Sequence, residues 1–183
     1  MFQPVEVNGA SMLPNYHTGD RLIVEQISAN FTKGFKRGQV IVVYADPHDI
    51  QNDNVFTRFN KIFYIKRVIG LPGEFIETKG SETCIYNNEF PNGVLLPEGY
   101  LSEEVKRGLE ADPGRNYPRK KIPDNFYFIM GDNRTDSTDS RIFGPVQEAA
   151  LLGKEWVRFW PLKQSEAFDL PTYTYNKPCN FEV

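Results

Sequence analysis

The chain has 183 residues, 40% of them apolar and 25% charged, enough for one large domain or a core domain with an insertion. A net charge of −3 leaves no global basic footprint, so nucleic acid is not an expected partner. The two cysteines, Cys84 and Cys179, make no zinc spacing; they can form one disulfide, and their positions do not say whether they meet.

In chain order the elements read as mostly β. Runs rich in β-branched and aromatic residues, broken by Gly, Pro, Asn and Asp, predict strands over Arg21–Gln26, Gln39–Tyr44, Ile62–Ile69, Phe75–Thr78, Cys84–Tyr86, Phe126–Met130 and Glu155–Phe159. Pro72-Gly73 and Gly131-Asp132-Asn133 mark turns, and Tyr86-Asn87-Asn88-Glu89 predicts a tight hairpin. Leu101, Val105 and Leu109 recur every four residues and predict one short helix, with Ser102 as its cap. The rest of 91–123 is irregular, and Arg119-Lys120-Lys121 reads as a solvated loop. Frequent turns between short strands favour an antiparallel β-sandwich or barrel-like core over a parallel α/β sheet. Core segments are expected over 1–77 and 124–161, an inserted subdomain over 78–123, and a C-terminal tail over 162–183, disordered by its polarity and prolines. The longest apolar run, Val40 to Ala45, falls far short of the roughly 20 residues of a spanning helix.

Three runs carry chemistry. Ser11 lies in Gly9-Ala10-Ser11-Met12-Leu13-Pro14, where small residues let a substrate backbone approach and leave N–H groups near the hydroxyl. By itself this is also the sequence of a plain surface turn. Lys66 has apolar neighbours on both sides in Ile62–Ile69. If buried without a carboxylate partner, it loses its proton near neutral pH and can serve as a base for a serine; at a sheet edge it would only block aggregation. The third run, Gly131 to Arg141, is dense in short polar side chains. Asp132, Asp136 and Asp139 could suggest a calcium loop, but Arg134 and Arg141 oppose a cation, and an Asp139–Arg141 pair supporting a site fits better. His17 and His48 lie in polar, turn-like sequence, away from any Ser-His-Asp pattern.

Together these runs resemble the bacterial type I signal peptidases, over roughly Val5 to Pro161. Ser11-Met12-Leu13-Pro14 with Gly19-Asp20-Arg21-Leu22 is similar to the nucleophile box. Lys66-Arg67-Val68-Ile69-Gly70-Leu71-Pro72-Gly73-Glu74 is similar to the general-base box. Gly131-Asp132-Asn133-Arg134, Ser137, Asp139-Ser140-Arg141 and Phe143-Gly144 are similar to the last box. The resemblance implies a serine endopeptidase on a mostly antiparallel β core with a smaller inserted β-rich subdomain, and no cofactor or metal. Ser11 would be the nucleophile and Lys66 the base. Ser137 would bond the lysine amine, Asp139 and Arg141 would form a supporting salt bridge, and Asp132 and Arg134 would shape the loop. The Ser11 backbone N–H would hold the oxyanion, because Gly9 stands where some relatives carry a serine donor. Val5, Val7, Met12, Tyr64 and Ile65 would line shallow pockets for the small residues one and three positions before the cut. The implied partners are signal peptides of secretory preproteins, the membrane surface and the secretion machinery. The implied location is the extracytoplasmic face of the cell membrane. Family members carry a membrane helix before the nucleophile, so this chain reads as a catalytic domain without its anchor, with Phe2 and apolar residues near Ser11 facing the membrane. Two rivals are a self-cleaving Ser-Lys repressor, opposed by the few residues before Ser11, and a non-catalytic β-rich binding domain.

Overall fold

Val40–Tyr44 is apolar at every position because it is buried on both faces. Val40, Val42 and Tyr44 pack into one cluster with Val7, Met12, Leu22 and Ile65, while Ile41 and Val43 pack into another with Val68, Tyr127 and Ile129. The computed structural model describes residues 2–26, 34–45, 63–162, 166–167 and 170–181.

The strands are β1 (Phe2–Glu6), β2 (Arg21–Glu25), β3 (Val40–Tyr44), β4 (Phe63–Gly70), β5 (Phe75–Lys79), β6 (Glu82–Tyr86), β7 (Val94–Leu95), β8 (Tyr117–Lys121), β9 (Phe126–Met130), β10 (Val146–Gln147), β11 (Leu151–Trp160) and β12 (Glu166–Ala167). Two antiparallel sheets result. The larger runs β1-β2-β11-β3-β4-β9-β10, with β12 also on β11; the smaller runs β7-β6-β5-β8. The fold is thus a mostly β antiparallel core with a second, smaller sheet. Ile69, Phe128 and Met130 of the large sheet share a core with Ile76, Ile85 and Tyr117 of the small one. Gly153 lets β11 cross close to β2, since a Cβ there would lie 2.5 Å from the Glu25 carbonyl.

All seven expected strands are present, with ends shifted by a few residues at most. Helix α1 (Glu103–Ala111) is the expected one: Ser102 Oγ accepts from the Val105 N–H, and Val105 and Leu109 are its buried residues. A second helix, α2 (Ser140–Phe143), follows Asp139.

Several expectations need correction. Strand β1 lies outside the expected strands, and its Pro4 is tolerated because, among the described residues, β1 is an edge strand paired only with β2. The expected tight hairpin after Tyr86 is wider: residues 87–93 separate β6 from β7, and Asn87 Oδ1 accepts from the N–H groups of Glu89 and Phe90. Arg119-Lys120-Lys121 is not a loop but part of edge strand β8, with the Arg119 guanidinium stacked 3.8 Å over the Tyr86 ring. The tail expected to be disordered is fastened over 170–181. Cys84 and Cys179 form a disulfide, Leu95 N–H donates to the Lys177 carbonyl at 2.9 Å, and Tyr173 and Tyr175 pack on the shared core. Its tyrosines supply the apolar area that a reading by polarity overlooked. His17 is exposed, and His48 lies outside the described residues.

Candidate active site

The loop carrying Ser11 is closed at its base by Val7 N–H donating to the Asp20 carbonyl at 2.8 Å and Gly19 N–H donating to the Val7 carbonyl at 2.9 Å. Asn133 grips its tip: the Asn133 N–H donates to the Ser11 carbonyl at 3.0 Å, and its side-chain amide donates to the Ala10 carbonyl at 3.1 Å. Gly131 makes that approach possible. A Cβ there would lie 2.4 Å from both the Ser11 carbonyl oxygen and Ser137 Oγ.

Lys66 is on β4, between β3 and β9 in the middle of the larger sheet, so the edge-strand reading does not apply. It is 2% exposed. Its Nζ donates to Ser11 Oγ at 2.8 Å and to the Ile65 carbonyl at 3.1 Å, and it lies 5.2 Å from the centre of the Tyr64 ring. It makes no ion pair among the described residues. Burial lowers its pKa from 10.5 to about 8, against the opposing pull of Asp139 and Asp132. The neutral amine, the form that can accept a proton from serine, is therefore reached just above neutral pH.

The acidic residues near Lys66 are taken up by arginines. Asp139 receives Arg141 Nε and Nη2, both at 2.9 Å, and the Gly131 N–H at 3.1 Å. Burial would raise the Asp139 carboxyl, but the Arg141 pair holds it below its ordinary value. Asp132 is not paired with Arg134. It receives Arg67 Nε at 2.8 Å and Nη2 at 2.6 Å, while Arg134 is bound by Glu98, with one bond at 3.0 Å. Among the described residues no group of His, Cys, Asp and Glu is arranged to hold a metal ion, and the calcium-loop alternative has no ligand set.

Ser137 departs from expectation. Its buried hydroxyl has no hydrogen bond of ordinary geometry among the described residues, and it is not a partner of Lys66 Nζ. It lies close enough to Asp139 to favour that carboxylate's charge. Arg115 Nη1 donates to the Ser137 carbonyl at 3.0 Å and fixes the backbone there.

A cavity of about 260 Å³ opens beside Ser11. Val5, Val7, Met12, Tyr64 and Ile65 line it together with Ser11. Phe63, Glu6, Asn8 and Gly9 line it too. The sequence reading missed Phe63, Glu6 and Asn8, although Phe63 is two residues before the chosen Ile65 on β4 and Glu6 and Asn8 flank the chosen Val7. It also missed a buried pair beneath the loop: Tyr16 donates its hydroxyl to Glu155, whose carboxyl burial pushes up to about 7.

Ser11 and Lys66 thus stand in hydrogen-bond contact beside this cavity, with the lysine's pKa lowered by burial. The family model described as signal peptidase, peptidase S26, matches residues 1–160. The chain belongs to the signal peptidase family. It is 36% identical over 155 residues to signal peptidase I of Leptolyngbya laminosa, covering 84% of this chain and 66% of that one. It is 32% identical over 183 residues to signal peptidase IB of Staphylococcus aureus strain Mu50, covering 94% and 85%. A solved signal peptidase I structure from Enterococcus faecalis V583 aligns at 29% identity and a TM-score of 0.46, over 67% of this chain and 97% of that one. The chain thus spans just under two thirds of the Leptolyngbya signal peptidase's length. Membership of the signal peptidase family sets aside the repressor rival and accounts for three motifs that a non-catalytic domain would have to carry by chance.

Proposed function

We propose that this chain is a serine endopeptidase that removes N-terminal signal peptides from exported preproteins, with Ser11 as nucleophile and Lys66 as general base. The observation that carries the reading is the 2.8 Å contact between Lys66 Nζ and Ser11 Oγ in a site where burial lowers the lysine to about 8. With Lys66 neutral, Ser11 Oγ attacks the scissile carbonyl carbon as its proton passes to Nζ. The carbonyl oxygen becomes an oxyanion held by the Ser11 N–H. Collapse breaks the C–N bond, and the Lys66 ammonium returns its proton to the leaving amine, which departs with the mature protein. Water then attacks the acyl-serine, giving its proton to Lys66; the signal peptide leaves as a carboxylic acid and Ser11 regains its proton. While Lys66 is an ammonium it has three N–H donors to place, and the buried Ser137 hydroxyl, which carries no hydrogen bond of ordinary geometry among the described residues, is the group we assign to accept one of them. Asp139 and Arg141 hold the loop behind the lysine.

The cavity supports small side chains one and three positions before the cut. Val5, Val7, Met12 and Ile65 supply apolar walls beside Ser11, and larger side chains would be rejected by clash with them rather than by lack of attraction. Exposed Phe2, Trp156, Trp160 and Leu162, with Phe2 and Trp156 in ring contact at 4.9 Å, support work at a membrane surface, where signal peptides and the secretion machinery meet the enzyme on the extracytoplasmic side. Among the described residues no helix is long and apolar enough to cross a membrane.

The test is cleavage of a secretory preprotein by the wild type, Ser11→Ala and Lys66→Ala, with the new N-terminus located by mass spectrometry. Cleavage after the signal peptide by wild type alone is the expected result. Normal processing by either variant rules out the mechanism.

A further inference from the structure

We propose that Asn15 is a positioning residue: its side-chain amide, bridging Asp132 and the Tyr100 carbonyl, sets how the Ser11 loop seats against Lys66. The proposal rests on the reading that Ser11 and Lys66 react with each other.

The reactive pair comes from two parts of the chain, so the loop must be fixed to the sheet on both flanks of the serine. Asn133 secures the Ala10–Ser11 side through its two bonds to backbone carbonyls. Asn15 secures the other, four residues beyond Ser11. Its Nδ2 donates to Asp132 Oδ2 at 2.8 Å and to the Tyr100 carbonyl at 3.1 Å. Both partners only accept, so the amide must present its NH₂ group there. Asp132 is in turn held by two N–H groups of Arg67, the residue after Lys66 on β4. A continuous chain of side-chain bonds therefore runs from the serine loop through Asn15, Asp132 and Arg67 to the lysine's own strand. The Asn15 carbonyl adds a third anchor by accepting from Arg158 Nη1 of β11 at 2.8 Å. Tyr100 is tied into the same unit, with the Arg67 guanidinium 4.3 Å from its ring centre.

The residue type follows from the chemistry. Two acceptors must be served at once from a short arm, and asparagine offers two N–H donors in one plane. A serine or threonine hydroxyl has one proton for two acceptors. An aspartate would set a second carboxylate against Asp132, and alanine or leucine would serve neither.

Loss of the amide should act on the reacting pair and not on the substrate cavity, whose walls are built from β1, β4 and the residues before and at Met12. Two effects follow. The loop can drift by a fraction of an ångström, and a misplacement of about 1 Å costs on the order of 10²-fold in rate. Asp132 also loses a donor that offsets its charge. The charged groups acting on Lys66 are Asp132 and Asp139, both raising its pKa. A less neutralised Asp132 therefore moves the lysine's titration upward.

The experiment compares wild type, Lys66→Ala, Asn15→Leu and Asn15→Thr on one preprotein, measuring kcat and KM from pH 6 to 10 together with thermal unfolding. For Asn15→Leu the expected result is kcat lower by about 10- to 100-fold, KM within about twofold, and a pH midpoint higher than that of wild type. Asn15→Thr should be intermediate, and it serves in place of Asn15→Leu if that variant does not fold. A kcat per folded molecule equal to wild type with an unmoved midpoint, whatever the change in thermal stability, overturns the positioning role. Failure of wild type to cleave, or cleavage by Lys66→Ala, overturns instead the dyad on which the proposal stands.

Discussion

Replacing Lys66 by methionine keeps the side chain's length and apolar stem while removing the amine. Burial lowers the Lys66 pKa from 10.5 to about 8, and Lys66 is only 2% exposed. At about 1.36 kcal/mol per unit, holding the ammonium in the folded site costs about 3 kcal/mol relative to water. The sign follows from linkage. Below pH 8 the lysine is protonated in both folded and unfolded chains, so the cost is fully present. Between 8 and 10.5 the unfolded chain binds more protons than the folded one, and wild-type stability from this group rises with pH. Above 10.5 the cost is gone. Methionine forfeits the bonds to Ser11 Oγ and the Ile65 carbonyl, roughly 1 kcal/mol each at all pH values. Lys66→Met should therefore be inactive yet more stable than wild type by about 1–2 kcal/mol at pH 7. That advantage should vanish or reverse by pH 10.5. Urea unfolding of both proteins at the two pH values reads the difference, in which all other titrating groups cancel. A stability difference that does not change with pH would refute a depressed lysine, whatever its sign at pH 7.

The remaining predictions concern the neighbours of the pair. Gly131→Ala places a Cβ 2.4 Å from the Ser11 carbonyl oxygen and must displace the serine or the loop after β9; preprotein cleavage should fall on the order of 10²-fold and stability by about 1–3 kcal/mol. Wild-type cleavage kinetics in Gly131→Ala would mean that the two segments are not held in contact. The Cys84–Cys179 disulfide spans a sequence separation of 95 residues, so replacing both cysteines by serine should cost about 4–5 kcal/mol on chain-entropy grounds. Hydrogen exchange over 170–181 should quicken in that double variant; unchanged protection there would show that the tail is held without the bridge. A preprotein whose residue before the cut is changed from alanine to phenylalanine should lose cleavage through clash with the walls formed by Val7, Met12 and Ile65. Efficient cleavage of that substrate would place the specificity pocket elsewhere.

The elements with strong local signals were legible from the residues. The all-apolar β3, the helix capped by Ser102 and the lysine flanked by apolar residues each carried their assignment on the surface of the sequence. The Ser11, Lys66 and Asp139–Arg141 segments could be named because their spacing resembles a family, not because any of them is decisive alone. What escaped depends on contacts distant in the chain. Strand β1 is short, mixed in polarity and proline-containing, and it is held by pairing with β2. The tail is held by one disulfide and by tyrosines packed on a core built elsewhere. Asp132 has an arginine two residues away, yet it pairs with Arg67, because β4 and β9 are adjacent, Arg67 faces Met130, and Asp132 follows Met130 by two residues. Asn15 and Glu155 carried no motif at all; their partners, Asp132 and Tyr16, lie more than a hundred residues away.

The central claim is that a neutral Lys66 activates Ser11 for cleavage, and the pH dependence of kcat/KM for wild-type processing of a preprotein tests it most directly. With Lys66 at about 8, the rate should rise about tenfold per unit at acid pH and level off above 8, giving roughly 90-fold between pH 6 and pH 9. A profile flat across that range, or one that levels off below pH 7, would contradict the account.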